Sequence, residues 1–176
     1  MKIQILYTSL TGCTRRVAQA ICDQLSPTAD VTLHDLKDGV PTLDGDILLV
    51  GYWGVSGGPC DEMREVLSTI RGKAVGIFCT LGYYADSAHA FDTVQAGVKL
   101  LQEHNEILGS YVCNGAISPE LKGAPCAPSE QKHLRWEITD SHPTAAECAL
   151  AAERFRERIH LYTRAKELGI PFQSIL

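Results

Sequence analysis

Short apolar runs alternate with stretches of helical periodicity along most of the chain. Five of the runs predict strands, at residues 2–7, 30–36, 46–51, 73–79 and 107–113. Between them, apolar residues recur at intervals of three and four, as in helices that cover a sheet with one face. These positions are Val17, Ala18, Ile21 and Leu25, then Met63, Val66, Leu67 and Ile70, then Ala88, Phe91, Val94, Val98 and Leu101.

Strands that alternate with helices predict a three-layer α/β fold, in which helices cover both faces of a five-stranded parallel sheet. Right-handed crossovers favour the strand order 2-1-3-4-5. In a sheet of this order, ligands bind beyond the carboxyl ends of the first, third and fourth strands. The loops after these three strands are therefore the predicted place of a functional site.

The regular pattern lapses between residues 114 and 143. Ser129 is placed to cap a short helix that reaches Trp136, and Thr144 to cap a long final helix. The interruptions are Pro119, Pro125, Pro128 and Pro143. Because the length suits one core and nothing in the composition marks a linker, we expect residues 1–176 to form a single domain with an irregular excursion at 114–143.

The charge balance disfavours some classes of partner. The chain has 16 Lys and Arg against 21 Asp and Glu, a net charge of −5, whereas nucleic-acid binding needs clustered positive charge. The apolar runs are too short to span a membrane, and the first residues, MKIQILYTSL, predict a strand and not a signal peptide. We expect a cytoplasmic protein that contacts neither nucleic acid nor membrane.

The cysteines follow no known ligand pattern. Their number is odd and no two are spaced as C-x-x-C, so neither a disulfide framework nor a zinc site follows from the spacing. Free thiols in a reducing compartment are the expectation, and neither a metal ligand nor a catalytic side chain is assigned. The seven residues are Cys13, Cys22, Cys60, Cys79, Cys113, Cys126 and Cys148.

The loop after the first strand is rich in hydroxyl groups. It consists of Ser9, Leu10, Thr11, Gly12, Cys13 and Thr14 and leads directly into the first helix. Unpaired backbone amides and the positive end of the helix dipole meet at such a place. Gly12 permits the dihedrals of a tight turn, and the hydroxyls of Ser9, Thr11 and Thr14 can donate further hydrogen bonds. The loop therefore predicts a phosphate site, although Ser and Thr are also ordinary helix caps.

This loop resembles the phosphate loop of the flavodoxin family, which has the pattern [ST]-x-T-G-x-T after a strand that ends in an aromatic residue. Here the strand ends in Tyr7, and the pattern runs from Ser9 to Thr14. The resemblance implies a flavodoxin-like fold that binds flavin mononucleotide (FMN), with its 5′-phosphate in this loop. Family members often carry Asn at the position of Cys13, whose thiol is either a reactive group at a helix N-terminus or an inert side chain.

The resemblance also implies that two further loops hold the isoalloxazine ring. One follows the third strand and contains Tyr52, Trp53, Gly54, Val55 and Gly57; the other follows the fourth strand and contains Thr80, Leu81, Gly82, Tyr83 and Tyr84. Trp53 and Tyr84, or its neighbour Tyr83, match the aromatic residues that stack on the flavin. Gly54 or Gly57 matches the glycine of the peptide that reorients toward N5. Ordinary packing is the alternative for these aromatic residues.

The function implied by the resemblance is electron transfer through FMN to a partner oxidoreductase. Two alternatives stay open: an FMN-dependent NAD(P)H:quinone-type oxidoreductase, and a flavin-binding accessory subunit of a reductase. The expected partner is a redox protein, either a reductase or an acceptor enzyme. The apolar tail IPFQSIL leaves both a monomer and a homodimer open.

Overall fold

A parallel sheet forms the centre of the molecule. The computed structural model describes residues 1–123 and 129–175, and Pro125, Cys126 and Pro128 lie outside the described residues. The strands are β1 (Lys2–Tyr7), β2 (Asp30–Asp35), β3 (Ile47–Val55), β4 (Gly58–Pro59), β5 (Ala74–Leu81) and β6 (Glu106–Asn114).

The strand order is β2-β1-β3-β5-β6, and all of these neighbours pair in parallel. The short strand β4 pairs with the end of β3, in antiparallel orientation. Without β4 this is the predicted order 2-1-3-4-5, which is confirmed. The sequence did not reveal β4 because two residues are too few to show an alternation.

Helices cover both faces of the sheet, as predicted. Helices α1 (Cys13–Leu25) and α6 (Ala145–Glu167) pack on one face, and α2 (Asp61–Thr69) and α3 (Ala88–Leu101) pack on the other. Two shorter helices, α4 (Pro119–Lys122) and α5 (Glu130–Thr139), lie between β6 and α6. Within residues 1–123 and 129–175, none of these helices has the length and apolarity that a membrane crossing requires.

The core consists of two apolar clusters, one on each face of the sheet. Successive residues of β3 point to opposite faces, so Leu48 and Val50 join the cluster under α2 and α3, while Leu49 joins the cluster under α1 and α6. In the second cluster, Phe155 of α6 is completely buried and meets the ring of Phe78 edge to face at 6.2 Å between centroids. The packing of α1 and α6 on this cluster fixes the position of the loop that precedes α1.

One helical face differs from its prediction. Phe91 of α3 was expected on the buried face, but its side chain is 63% exposed. The buried face instead passes through Ala90, Val94 and Val98, which are spaced by one helical turn. Phe91 lies one residue further along, and this rotates it by about 100° around the helix axis, away from the sheet.

The two predicted caps are confirmed. The Ser129 hydroxyl accepts a hydrogen bond from the amide of Lys132 at the start of α5. At the start of α6, the Thr144 hydroxyl accepts from the amide of Glu147 at 3.2 Å, and the Glu147 carboxylate accepts from the amide of Thr144 at 2.6 Å. This reciprocal pair is a capping box, and it fixes the point where the chain enters α6.

Candidate functional site

The N-terminus of α1 presents a set of backbone amides. Gly12 has a φ of 84°, in the left-handed region, and precedes the helix directly. The amides of Gly12, Cys13 and Thr14 donate to no acceptor among the described residues, whereas the amide of Arg15 donates to the Ser9 hydroxyl at 3.3 Å. The first turn of α1 contains no acidic residue. Free amides at the positive end of a helix dipole form an anion-binding arrangement.

The three loop hydroxyls have different surroundings. The Thr14 hydroxyl is fully buried and lies 2.9 Å from that of Thr80, which ties α1 to β5. The Thr11 side chain is exposed, and its hydroxyl donates to the carbonyl of Ala116 at 3.2 Å. Only the hydroxyls of Ser9 and Thr11 therefore lie outside the core.

The side chain of Cys13 connects three segments of the chain. It is only 2% exposed. Its sulfur accepts hydrogen bonds from the hydroxyl of Thr11 at 3.1 Å and from the amide of Ala116 at 3.2 Å. The thiol itself donates to the carbonyl of His142 at 3.5 Å, which also accepts from Arg16 at 2.7 Å. The loop before α1 is thus fastened to the segment after β6 and to the chain that leads into α6.

A cavity of about 300 Å³ adjoins this loop. Its lining comes from the carboxyl ends of β1, β3, β5 and β6 and from the residues that follow them, and all of its side chains are neutral. The residues that line it are Leu10, Thr11, Trp53, Gly54, Val55, Ser56, Thr80, Leu81, Gly82, Gly115, Ala116, Ile117, Ser118 and Leu121. Many of these are glycines or small residues, which leave backbone amides and carbonyls accessible to a ligand.

Trp53 supplies the aromatic surface of this cavity. Its partly buried indole, together with Leu10, also lines a second, smaller cavity of about 200 Å³. Unlike the larger cavity, the smaller one has charged residues in its lining, namely Asp35, Lys37 and Glu62. The structure therefore brings Trp53 next to the loop that precedes α1, as the sequence predicted.

The two candidate glycines after the third predicted strand occupy different positions. Gly54 lies in the β3–β4 ladder, where an added Cβ would stand 2.9 Å from the Thr93 methyl group. Ser56 and Gly57 form the tip of this hairpin and have φ values of 50° and 79°. A Cβ on Gly57 would meet nothing within 4 Å. Of the two, Gly57 has the space to change its backbone conformation.

Tyr52 is a core residue, so its assignment to the cofactor loop was wrong. Strand β3 runs on to Val55, and the alternation of side chains places Tyr52 on the same face as Leu48 and Val50. Its ring is completely buried under α3, and its hydroxyl donates to the carbonyl of Thr93 at 3.1 Å. Burial raises the pKa of this hydroxyl.

Tyr83 and Tyr84 lie beside the cavity without lining it. The Tyr83 ring contacts the rings of Tyr84 and His89 at centroid distances of 5.8 and 5.6 Å, and the Arg135 guanidinium lies 4.1 Å from its centre. Tyr84 is 47% exposed. The structure thus turns the Tyr83 ring toward α3 and α5, while Tyr84 packs on Tyr83 and is largely exposed.

The segment after β6, residues 115–121, was not predicted as part of the site. It contributes five lining residues, including Ile117 and Leu121. The available signal was topological, because β6 pairs in parallel with β5 and therefore ends at the same edge of the sheet. For that reason, the apolar residues directly after β6 could have been included among the expected lining residues.

Comparison with known proteins agrees with this architecture. The family model of the flavodoxin domain matches residues 4–156. The flavodoxin-like domain-containing protein BilS of Clostridioides difficile (strain CD3) is 31% identical over 160 residues, which cover 84% of this chain and 90% of that protein.

Two solved structures share the fold. Oxidised flavodoxin 2 from Bacillus cereus superimposes with a TM-score of 0.58 at 20% identity, covering 90% of this chain and 99% of the other. The Fusobacterium nucleatum flavodoxin bound to flavin mononucleotide has a TM-score of 0.54 at 14% identity, covering 89% and 97%. Because the family model spans most of the sequence, this chain belongs to the flavodoxin domain family.

Proposed function

We propose that this protein binds FMN and passes electrons from it to a partner oxidoreductase. The observation that carries the proposal is the adjacency of two features, the free amides at the N-terminus of α1 and the neutral cavity lined by Trp53. Membership of the flavodoxin domain family supports it, as does the FMN in the flavodoxin of Fusobacterium nucleatum.

The loop before α1 fits the phosphate end of FMN. The amides of Gly12, Cys13 and Thr14 can each donate to a phosphate oxygen, and the helix dipole favours a negative charge at this position. The Ser9 and Thr11 hydroxyls lie in the same loop. Arg15 and Arg16 follow in the first turn of α1 and add positive charge nearby.

The cavity fits the ring end of FMN. Its volume of about 300 Å³ lies at the lower end of the range for small-molecule sites, and it is open on one side. Trp53 offers a flat surface for stacking, while the backbone of Gly54 to Ser56 and of Thr80 to Gly82 offers polar groups for the ring edge. When bound, FMN supplies the redox chemistry, and the protein binds and orients it.

The form of the cavity suits a carrier that exchanges electrons with a partner protein. Neutral side chains can hold and orient a ring that gains and loses electrons. The rim is apolar and accessible, since Leu10 and Leu121 are 58% and 52% exposed. A partner protein can therefore approach the bound group directly.

The phosphate contact is tested by the matched variants Thr11→Asp and Thr11→Asn. Both change the same exposed side chain to a similar shape, but only Asp adds a negative charge next to the phosphate. We expect the Asp variant to bind FMN at least about tenfold more weakly than the Asn variant, because like charges repel at short range. Riboflavin, which lacks the phosphate, should bind both variants equally. Titration calorimetry measures all four affinities.

Equal FMN affinities of the two variants would show that the phosphate lies elsewhere. If the wild-type chain binds neither FMN nor riboflavin, the flavin proposal is wrong altogether.

The carrier role is tested with the FMN-loaded protein. We expect it to accept electrons from a reductase and return them to an acceptor protein, and to consume NAD(P)H only slowly on its own or with a quinone, as visible absorbance would record. Rapid NAD(P)H oxidation coupled to quinone reduction would favour the oxidoreductase alternative. Electron exchange that occurs only within a stable complex with a reductase would favour the accessory subunit.

A further inference from the structure

The flavin cavity has an aromatic surface at Trp53, but its other apolar surfaces are aliphatic. Neither Tyr83 nor Tyr84 contributes to its lining. The Tyr83 ring is held by His89 and by the guanidinium of Arg135. A rotation of Tyr83 into the cavity would break both contacts.

Ile117 occupies the space next to the backbone that precedes these tyrosines. A Cβ atom on Gly82 would stand only 1.9 Å from the terminal carbon of Ile117, so the two residues are in direct contact. No side chain larger than that of glycine fits at position 82 while Ile117 stays where it is. Ile117 therefore lies against the end of β5, at the position where the sequence predicted an aromatic wall.

The backbone around Ile117 is fastened on both sides. Before it, the amide of Gly115 donates to the carbonyl of Leu81 at 2.9 Å, and the amide of Ala116 donates to the Cys13 sulfur at 3.2 Å. After it, the buried Ser118 caps α4 by accepting from the amide of Leu121 at 3.3 Å. Ile117 is thus held in place before any ligand binds, which reduces the entropic cost of binding.

We infer that Ile117 forms the second wall of the isoalloxazine site, together with Trp53, and that Tyr83 and Tyr84 take no part in it. This inference rests on the proposed function and specifies its geometry. The ring is bound by stacking on the indole and by burial against an aliphatic side chain from the segment after β6.

Loss of the Ile117 side chain should lower the affinity for flavin. Removal of most of an aliphatic side chain from an apolar site costs at least about tenfold in binding. Because Ile117 contacts the ring and not the phosphate, its loss should weaken FMN and riboflavin by the same factor. A phosphate-loop variant behaves differently, since it affects FMN alone.

The test compares Ile117→Ala with Tyr84→Ala and Tyr83→Leu. We expect Ile117→Ala to bind both flavins at least about tenfold more weakly than the wild type. Ile117→Val, which removes one methylene, should lose about threefold to fourfold. The two tyrosine variants should stay within about twofold. Affinities come from titration calorimetry, and far-ultraviolet circular dichroism with thermal melts reports whether each variant is folded.

Two outcomes would overturn the inference while leaving the proposed function intact. One is FMN affinity unchanged in Ile117→Ala, and the other is a tenfold loss in Tyr84→Ala or Tyr83→Leu. If Ile117→Ala does not fold, Ile117→Val decides: a loss for both flavins supports the wall, and an unchanged affinity contradicts it. Failure of the wild type to bind any flavin is a distinct result, and it rejects the proposed function itself.

Discussion

At the scale of single residues, the Cys13 thiol connects the chain segments that form the candidate site. One sulfur accepts from the amide of Ala116 and the hydroxyl of Thr11 and donates to the carbonyl of His142. The loop before α1, the segment that carries Ile117 and the entry to α6 therefore all contact one side chain. Its burial and its four hydrogen-bond partners, which include the Arg16 guanidinium at 3.7 Å, favour a structural role over the reactive thiol that the sequence also allowed.

Substitution of Cys13 should separate hydrogen bonding from packing. Cys13→Ser keeps a group that can accept and donate, whereas Cys13→Ala leaves the amide of Ala116 without its acceptor. A lost hydrogen bond costs about 1 kcal/mol, so we expect Cys13→Ala to be less stable by about that amount. We also expect Cys13→Ala to bind FMN and riboflavin several-fold more weakly. The loop before α1 and the segment that carries Ile117 would both lose their hydrogen bonds to residue 13.

Urea unfolding and calorimetric titration of the two variants check this expectation. The serine variant should lie close to the wild type in both measurements. If serine and alanine behave alike, the hydrogen bonds of the thiol do not hold the site together.

The other buried cysteines explain why the spacing of cysteines in the sequence indicated neither a disulfide framework nor a zinc site. Burial raises the pKa of the Cys60, Cys79 and Cys113 thiols. Their side chains are buried in the core or beside it, and the Cys60 sulfur also makes a hydrogen bond of 3.0 Å with the hydroxyl of Thr8. All six cysteines among the described residues are free.

At the scale of elements, the capping box determines where α6 begins. The Glu147 carboxylate accepts from the Thr144 amide at 2.6 Å and lies 2.7 Å from Nδ1 of His142. Burial alone would raise the pKa of this carboxyl, but the hydrogen bonds from Thr144 and His142 outweigh it and lower the pKa. The carbonyl of His142 is also the one that accepts from Cys13 and Arg16, so hydrogen bonds join this cap to the start of α1.

Glu147→Gln should reveal the cap through its pH dependence. The pKa of Glu147 in the folded protein lies below its ordinary value of 4.5. Ionised Glu147 therefore stabilises the fold fully above pH 4.5, and the protein loses this stabilisation as the pH falls through the folded-state pKa. We expect the variant to be less stable than the wild type near neutral pH by about 1 kcal/mol, because a neutral amide oxygen accepts a weaker hydrogen bond than a carboxylate does. The difference should shrink below pH 4.5.

Urea unfolding of both proteins over a pH series measures this difference. Glu157→Gln changes an exposed carboxylate of the same helix and serves as the control. A deficit of Glu147→Gln that stays constant with pH would show that the charge has no part in the cap.

Elements with a clear period could be predicted, and short or interrupted ones could not. The five parallel strands and the helices α1, α2, α3 and α6 each repeat their pattern often enough to be recognised, whereas α5 was predicted from its cap at Ser129. Strand β4 has only two residues. Strand β3 continues beyond Gly51 because Tyr52 and Trp53 pair with Cys79 and Thr80 of β5, and its last two residues pair with β4. That extension is why Tyr52, two residues after Val50, belongs to the core and not to a loop.

At the scale of the whole molecule, the candidate site is a product of the sheet topology. Parallel strands bring their carboxyl ends to one edge, so residues from positions 10, 53, 81 and 117 meet in one cavity. All four of these strands could be predicted, but only the loops after three of them were expected at the site, because they contain hydroxyls, glycines or aromatics in a known pattern. The fourth contribution depends on how residues 115–121 lie over the edge, which is decided by contacts to Cys13, Leu81 and Gly82 that are remote in sequence.

Binding at this edge should stabilise the entire fold. FMN would contact residues that follow β1, β3, β5 and β6 and would bind the folded state alone. Free FMN at a hundred times its dissociation constant then adds about 2.7 kcal/mol to the free energy of unfolding. For a chain of this size the melting temperature should rise by about 5–10 °C.

Calorimetric melts over a range of FMN concentrations measure this shift, which should increase with the logarithm of the concentration. Riboflavin at the same concentration should give a smaller shift, because the amides before α1 have no phosphate to bind. In Thr11→Asp the two flavins should become nearly equivalent, since the added carboxylate cancels the advantage of the phosphate. A melting temperature that does not respond to FMN, or responds equally to riboflavin in the wild type, would contradict a phosphate site at the N-terminus of α1.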